Sequence, residues 1–200
     1  MASPRRIGAP DAKNRIVLLD AAESLMLEEG YAAVTSRRVA SRAGLKWQLV
    51  HYYFRTMDDL FLAMLHRRGE EALRLQAEML SGRQPLRALW EFSTRPEVVA
   101  VAMEFMALAN HRKTIRAEIA RYAELFRAAE IDAMSRLAER YHLPTEHLPP
   151  AVLAVMMSSL SRVVVIERGL GMQGGHRETL EFVERQLQAL EGTEGTEDVT

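Results

Sequence analysis

Large apolar residues recur along this chain every three or four positions. Leu18, Ala22, Leu25 and Met26 do so early on, and Leu60, Phe61, Met64, Leu65 and Ala72 do so after Thr56. That is the helical period. No stretch alternates apolar and polar residues between turn signals, as a half-buried strand would. The pattern predicts an all-α chain with no sheet.

Punctuation residues set the helix ends. A first helix is expected over 14–29, stopped by Gly30. Thr35 is placed to N-cap a short helix over 36–43, with Val39 and Ala40 facing inward. Gly44 can take the positive φ of a tight turn, and a second short helix follows over 47–53. Thr56 opens a long helix to about residue 80, with Asp59 where a capping box carries Glu or Gln. Pro85 and Pro96 fit the first turns of two further helices. A long helix is expected over 114–141. Pro144, Pro149 and Pro150 then interrupt the chain before an apolar helix over 151–168, a glycine-rich turn over 169–175 and a last helix over 176–190.

The apolar run 151–166 is interrupted by Ser158, Ser159, Ser161 and Arg162. It is too short and too polar to read as a membrane span, and no membrane partner is expected. A helix apolar nearly all round belongs in a core or at a subunit interface.

Composition narrows the class. The 200 residues include no cysteine, which excludes disulfides and thiolate metal sites and suits a reducing cytoplasm. The opening MASPRRIGAPDAKNR lacks the apolar stretch of a secretory signal, so a cytoplasmic location is expected. Net charge is −1, but it is unevenly spread. Residues 1–57 hold nine basic and five acidic side chains, so a basic end precedes an acidic body.

No phosphate-binding glycine loop, nucleophile elbow or metal-ligand pair at helical spacing is present. An enzyme is therefore not expected, nor any catalytic residue, cofactor or metal. His142 and His147 flank Pro144 in an irregular stretch without the company a metal site needs.

The two short helices around Gly44 have the proportions of a helix-turn-helix. Val39, Ala40, Ala43, Leu45 and Val50 can bury the contact between them. The outer face of the second helix is then free to enter a DNA major groove, which admits one α-helix. Candidate DNA-contacting residues are Thr35, Arg37, Lys46, Trp47, Gln48, His51 and Tyr52. Gln can pair with adenine and Trp can press on a thymine methyl. Lys, His and Tyr can hold phosphates.

At this point the sequence resembles the tetracycline-repressor (TetR) family of bacterial regulators. The likeness runs from Arg15 to Phe61. It includes the Gly30–Tyr31 pair, Thr35 with Arg37, then Val39, Ala40, Ala43 and Gly44, and the aromatic stretch His51–Tyr52–Tyr53–Phe54 followed by a capped helix from Thr56 to Leu60. Lys46–Trp47–Gln48–Leu49 replaces the usual opening of the recognition helix. Met57 stands where a lysine is common.

The resemblance implies a helix-turn-helix domain over 13–56, preceded by a disordered basic arm over 1–12. A helical ligand-binding and dimerisation domain over 57–191 would follow, then a disordered tail over 192–200. It implies a repressor released from a palindromic operator by a small molecule, with the homodimer formed through 151–168 and 176–190. The long helix from Thr56 would be the lever between ligand and DNA. Trp90, Met103, Phe105, Met106, Asn110 and Phe126 are the candidates for contact with the unidentified effector, with His111 a further polar anchor. A helical interaction or small-molecule-binding protein without DNA binding is the alternative.

Overall fold

The computed structural model describes residues 12–140, 145–146 and 148–192. Among these residues the chain is helical and holds no strand. In chain order the helices are α1 (Lys13–Glu29), α2 (Ser36–Arg42), α3 (Trp47–Tyr53), α4 (Met57–Leu80), α5 (Pro85–Ser93), α6 (Pro96–Ala109), α7 (Lys113–Arg140), α8 (Pro150–Gly169) and α9 (His176–Glu191). A 3-10 turn at Tyr31–Ala33, which apolar periodicity does not signal, joins α1 to α2. All but the last residue of the expected basic arm lies outside the described residues. So do His142, Pro144, His147 and the tail beyond Gly192.

The stops work as the residue types require. Gly30 ends α1 at φ 82°, its N–H donating to the Met26 carbonyl at 3.0 Å. Thr56 and Asp59 form a reciprocal capping box. The Thr56 N–H donates to Asp59 Oδ2 and the Asp59 N–H to Thr56 Oγ1, both at 3.1 Å. Pro85 and Pro150 each occupy the first turn of their helix, where a missing N–H costs nothing.

The chain packs as two compact units. The first contains the residues up to Glu71 together with Ala100–Tyr122. Its interior includes Leu18, Leu25, Met26, Val39, Val50, Phe54, Phe61 and Met64, all nearly or wholly buried. This grouping does not follow the expected division after residue 56. The reason is polar and steric contact from later residues. Glu104 accepts the Tyr31 N–H at 2.6 Å, Arg112 pairs with Asp58, and Tyr122 lies against Gly69.

The second unit contains Ala72–Val99 and the residues from Ala123 onward. Leu86 and Trp90 of α5, Met134 and Leu137 of α7, Ala154 of α8, and Val183 and Leu187 of α9 form its core. A polar clasp ties α5 to α9. The Glu191 carboxylate accepts the N–H groups of Leu86 at 2.8 Å and Arg87 at 3.0 Å, capping the start of α5. Arg87 grips Glu184 through two hydrogen bonds, at 2.8 and 3.0 Å. His176, buried at the start of α9, meets Glu167 of α8 at 2.6 Å.

The apolar helix α8 is 20 residues long and extends past both ends of the run 151–166. Among the described residues, α8 is the one helix long and apolar enough to cross a membrane. Ala154, Ser161 and Val164 are its buried residues, and Ala154 joins the core shared with α5, α7 and α9. Val152, Val155, Met156 and Val163 stay exposed, and Phe182 of α9 is half exposed.

Candidate nucleic-acid interface

The helix pair α2–α3 is built from its turn outward. Thr35 stands in extended backbone at φ −120° and its Oγ1 accepts the Arg38 N–H at 3.4 Å. At the other end the Leu45 N–H reaches the Ala40 carbonyl at 2.9 Å and the Gly44 N–H reaches Ser41 at 3.2 Å. This is a Schellman closure, and it needs Gly44 at its positive φ of 65°. The glycine turns the chain sharply enough that Val39 and Ala40 bury against α3 through Val50.

Successive helix residues turn by about 100°. Trp47, Gln48, His51 and Tyr52 therefore share one side of α3, while Leu49, Val50 and Tyr53 share the other. Burial follows that division. Val50 is 1% exposed, whereas Trp47 is 49% and Tyr52 46% exposed. Gln48 is exposed and His51 half-buried, its ring edge-on to Trp47 at 5.8 Å. Thr35, Arg37 and Lys46 are exposed as well. Phe54 is buried and Tyr53 half-buried, so the end of the aromatic stretch is structural.

The three arginines of α2 have different situations. Arg38 pairs with Glu29 of α1. Arg42 donates to Glu28 at 2.8 Å and to Ser24 at 2.6 Å, and reaches Glu29 at 3.4 Å. The Ser24 hydroxyl and then Arg42 hold the Glu28 carboxyl below the usual glutamate range. Arg37 is exposed, as is Lys46, whereas Arg38 and Arg42 serve the α1–α2 contact. The sequence reading missed this pairing, although the four-residue spacing of Arg38 and Arg42 places both on one helix face.

The effector candidates fall in both units. Met103, Phe105, Met106 and Asn110 belong to the first, Trp90 and Phe126 to the second. Met103, Met106, Asn110 and His111 are exposed, and Phe105 is buried. Trp90 takes part in the second core, and the Phe126 carbonyl accepts a hydrogen bond from buried Gln76 at 3.2 Å. Among the described residues, no group of three or more His, Asp or Glu side chains could hold a metal ion.

Residues 18–64, which run from the second turn of α1 to the first turns of α4, match the bacterial regulatory proteins of the tetR family. The chain is similar to that family over 47 of its 200 residues. It is 28% identical over 123 residues to the HTH-type transcriptional regulator BetI of Rhizobium meliloti (strain 1021), a match covering 57% of this chain and 61% of that one. It is 31% identical over 119 residues to an uncharacterized HTH-type transcriptional regulator in the dhlA 5′ region of Xanthobacter autotrophicus, covering 52% and 57%. The match thus spans about three fifths of these relatives' length. In fold, the chain is similar to a transcriptional regulator from Saccharomonospora viridis solved in complex with choline. The TM-score is 0.72 at 21% identity, over 85% of this chain and 95% of that one.

Proposed function

We propose that this chain is a dimeric transcription regulator of the tetR family that binds operator DNA through α3 and releases it in response to a small molecule. The observation that carries the reading is the outward row Trp47, Gln48, His51 and Tyr52, braced from behind by Val50 and Phe54. A rigid helix with a polar and aromatic outer row suits a major groove. Gln48 offers adenine a matched donor and acceptor, and Trp47 offers a thymine methyl an apolar surface. Thr35, Arg37 and Lys46 hold phosphates and set register.

Two copies are supported by the bare apolar residues of α8 and α9, which a second copy of the same helices would cover. The dimer forms through 151–168 and 176–190. Its two α3 helices then address half-sites about one DNA turn, ~34–36 Å, or a multiple apart. The residues proposed to meet the effector are Met103, Phe105, Met106 and Asn110 within the first unit and, separately, Trp90 and Phe126 within the second. The choline bound by the Saccharomonospora viridis regulator supplies a first probe, since quaternary ammonium groups favour aromatic faces.

Selection of bound duplexes from a random pool tests the reading, followed by gel shifts across salt with and without choline. A palindromic consensus whose binding weakens with salt is the expected result. A chain that enriches no sequence and shifts no duplex contradicts it.

A further inference from the structure

We infer that a recess at the C-terminal end of α3 is a second backbone-phosphate site, in which Arg55 and Arg15 hold a phosphate of the strand bordering the groove that α3 enters. The inference rests on the DNA-binding reading above and adds residues that reading does not use. The recess has a volume of about 280 Å³ and is lined by Arg15, Tyr53, Phe54, Arg55 and Asp59. Two of those five side chains are guanidinium groups, whose planar fork matches the oxygens of a phosphate.

The surroundings preorganise the pair. The Arg15 guanidinium carbon lies 5.1 Å from the centroid of the Phe54 ring, and Phe54 is itself only 2% exposed. A cation stacked on a fixed ring loses little freedom when it takes a ligand. Asp59 is the one acidic group in the lining, and its carboxylate is committed to the Thr56 N–H as the α4 cap. With two guanidinium groups against one carboxylate, the lining keeps a net positive charge.

Its position suits a strand beside a groove. Tyr53 meets Tyr52 edge-on at 5.0 Å, and Tyr52 belongs to the exposed row of α3. The recess is thus continuous with that row. From Trp47 to Tyr53 the helix rises about 9 Å, against a major groove about 12 Å wide. A helix whose first turn meets base edges brings its last turn to the groove wall, where the phosphates are. Lys46 at one end and the Arg15–Arg55 recess at the other would hold α3 at both ends.

The test uses the full chain and a duplex of about three DNA turns that the wild type selects from a random pool. Affinity is measured by fluorescence anisotropy from about 50 to 200 mM salt. Arg55→Gln, at an exposed position, should lower the log–log salt slope by about 0.9 per half-site. Across that salt range the variant dimer should lose about tenfold less affinity than the wild type, with base preferences unchanged. A neutral methylphosphonate linkage scanned along the duplex should mark a position that weakens wild type several-fold and Arg55→Gln not at all. Arg15→Lys, which keeps the charge and loses the fork, should retain the slope and weaken binding. Circular dichroism confirms that each variant is folded. A wild-type slope and methylphosphonate pattern in Arg55→Gln overturns the recess while leaving the regulator reading intact, and so does a recess that takes free anions and leaves no linkage marked. A wild type that selects no DNA overturns both.

Discussion

The Glu104 carboxylate accepts the backbone N–H of Tyr31 at 2.6 Å, across 73 positions of sequence. It thereby fastens α6 to the turn that carries the chain from α1 into α2. The same carboxylate lies 3.4 Å from where a Cβ on Gly30 would stand, and Gly30 already has φ 82°. Glu104→Ala leaves a part-buried N–H without its acceptor and should destabilise the fold by about 1–3 kcal/mol. Glu104→Gln, which keeps a carbonyl oxygen, should recover much of that in urea unfolding. Equal loss in both variants would show that the acceptor is not what matters.

Gly69 of α4 lies directly against the Tyr122 ring of α7. A Cβ on Gly69 would stand 2.5 Å from the Tyr122 ring, whose hydroxyl donates to the His66 carbonyl at 3.3 Å. Gly69→Ala should therefore destabilise by about 1–3 kcal/mol, despite alanine's better helix propensity. Adding Tyr122→Leu should relieve part of the cost, giving a favourable coupling in a double-mutant cycle. Additive losses would mean that α4 and α7 separate freely.

Gln48 is the residue with most to say about sequence preference. Gln48→Ala should cost about 1–3 kcal/mol on the selected operator and little on random DNA, relaxing the choice of A·T at one base pair per half-site. Arg37→Ala and Lys46→Ala should instead weaken all sequences alike and lower the salt slope. Binding to duplexes with each base at every half-site position separates the two outcomes. Unchanged base preferences in Gln48→Ala would remove it from the readers.

Val155 and Val163 are each 48% exposed on α8. Their joint replacement by Glu should yield monomers in sedimentation velocity, because a carboxylate desolvated at an apolar interface has no partner. A double variant that stays a tight dimer places the contact elsewhere.

The Arg87–Glu184 clasp predicts a pH effect. Hydrogen bonding from Arg87 lowers the Glu184 carboxyl below its usual range. A carboxyl depressed in the folded state stabilises it above the unfolded value, and that contribution fades as pH falls through the folded value. Glu184 is mostly exposed, so its worth is about 0.2–1 kcal/mol. The melting temperature of Arg87→Gln should fall below wild type at neutral pH and converge with it in acid. A constant gap would assign the loss to packing of the arginine stem.

Local chemistry was legible where it is completed within a few residues. The Thr56–Asp59 box, the Gly44 turn and the outward row of α3 all depend on neighbours inside one or two turns. The partners of Arg38 and Arg42 were not legible, because choosing Glu28 and Glu29 requires the crossing of α1 over α2. Arg15 and Arg55 stand forty residues apart and come together in the fold at one recess. Apart from Asn110, the effector candidates share their apolar character with the hydrophobic core residues, so periodicity could not say which unit each would join. Hydrophobicity alone likewise marked α8 for burial, whereas only part of its circumference is covered within one chain.

The cap on α5 has a consequence for synthesis. Leu86 and Arg87 leave the ribosome with two amide groups whose acceptor, Glu191, is 105 and 104 residues away. At ~5–20 residues per second, roughly 5–20 s pass before that carboxylate exists. Throughout that interval the first turn of α5 has only water to bond, and the helix must wait for the last turn of α9 to close it. The second unit therefore completes its fold after translation has passed through it, while α1 to α3 have long had every residue their own turns need.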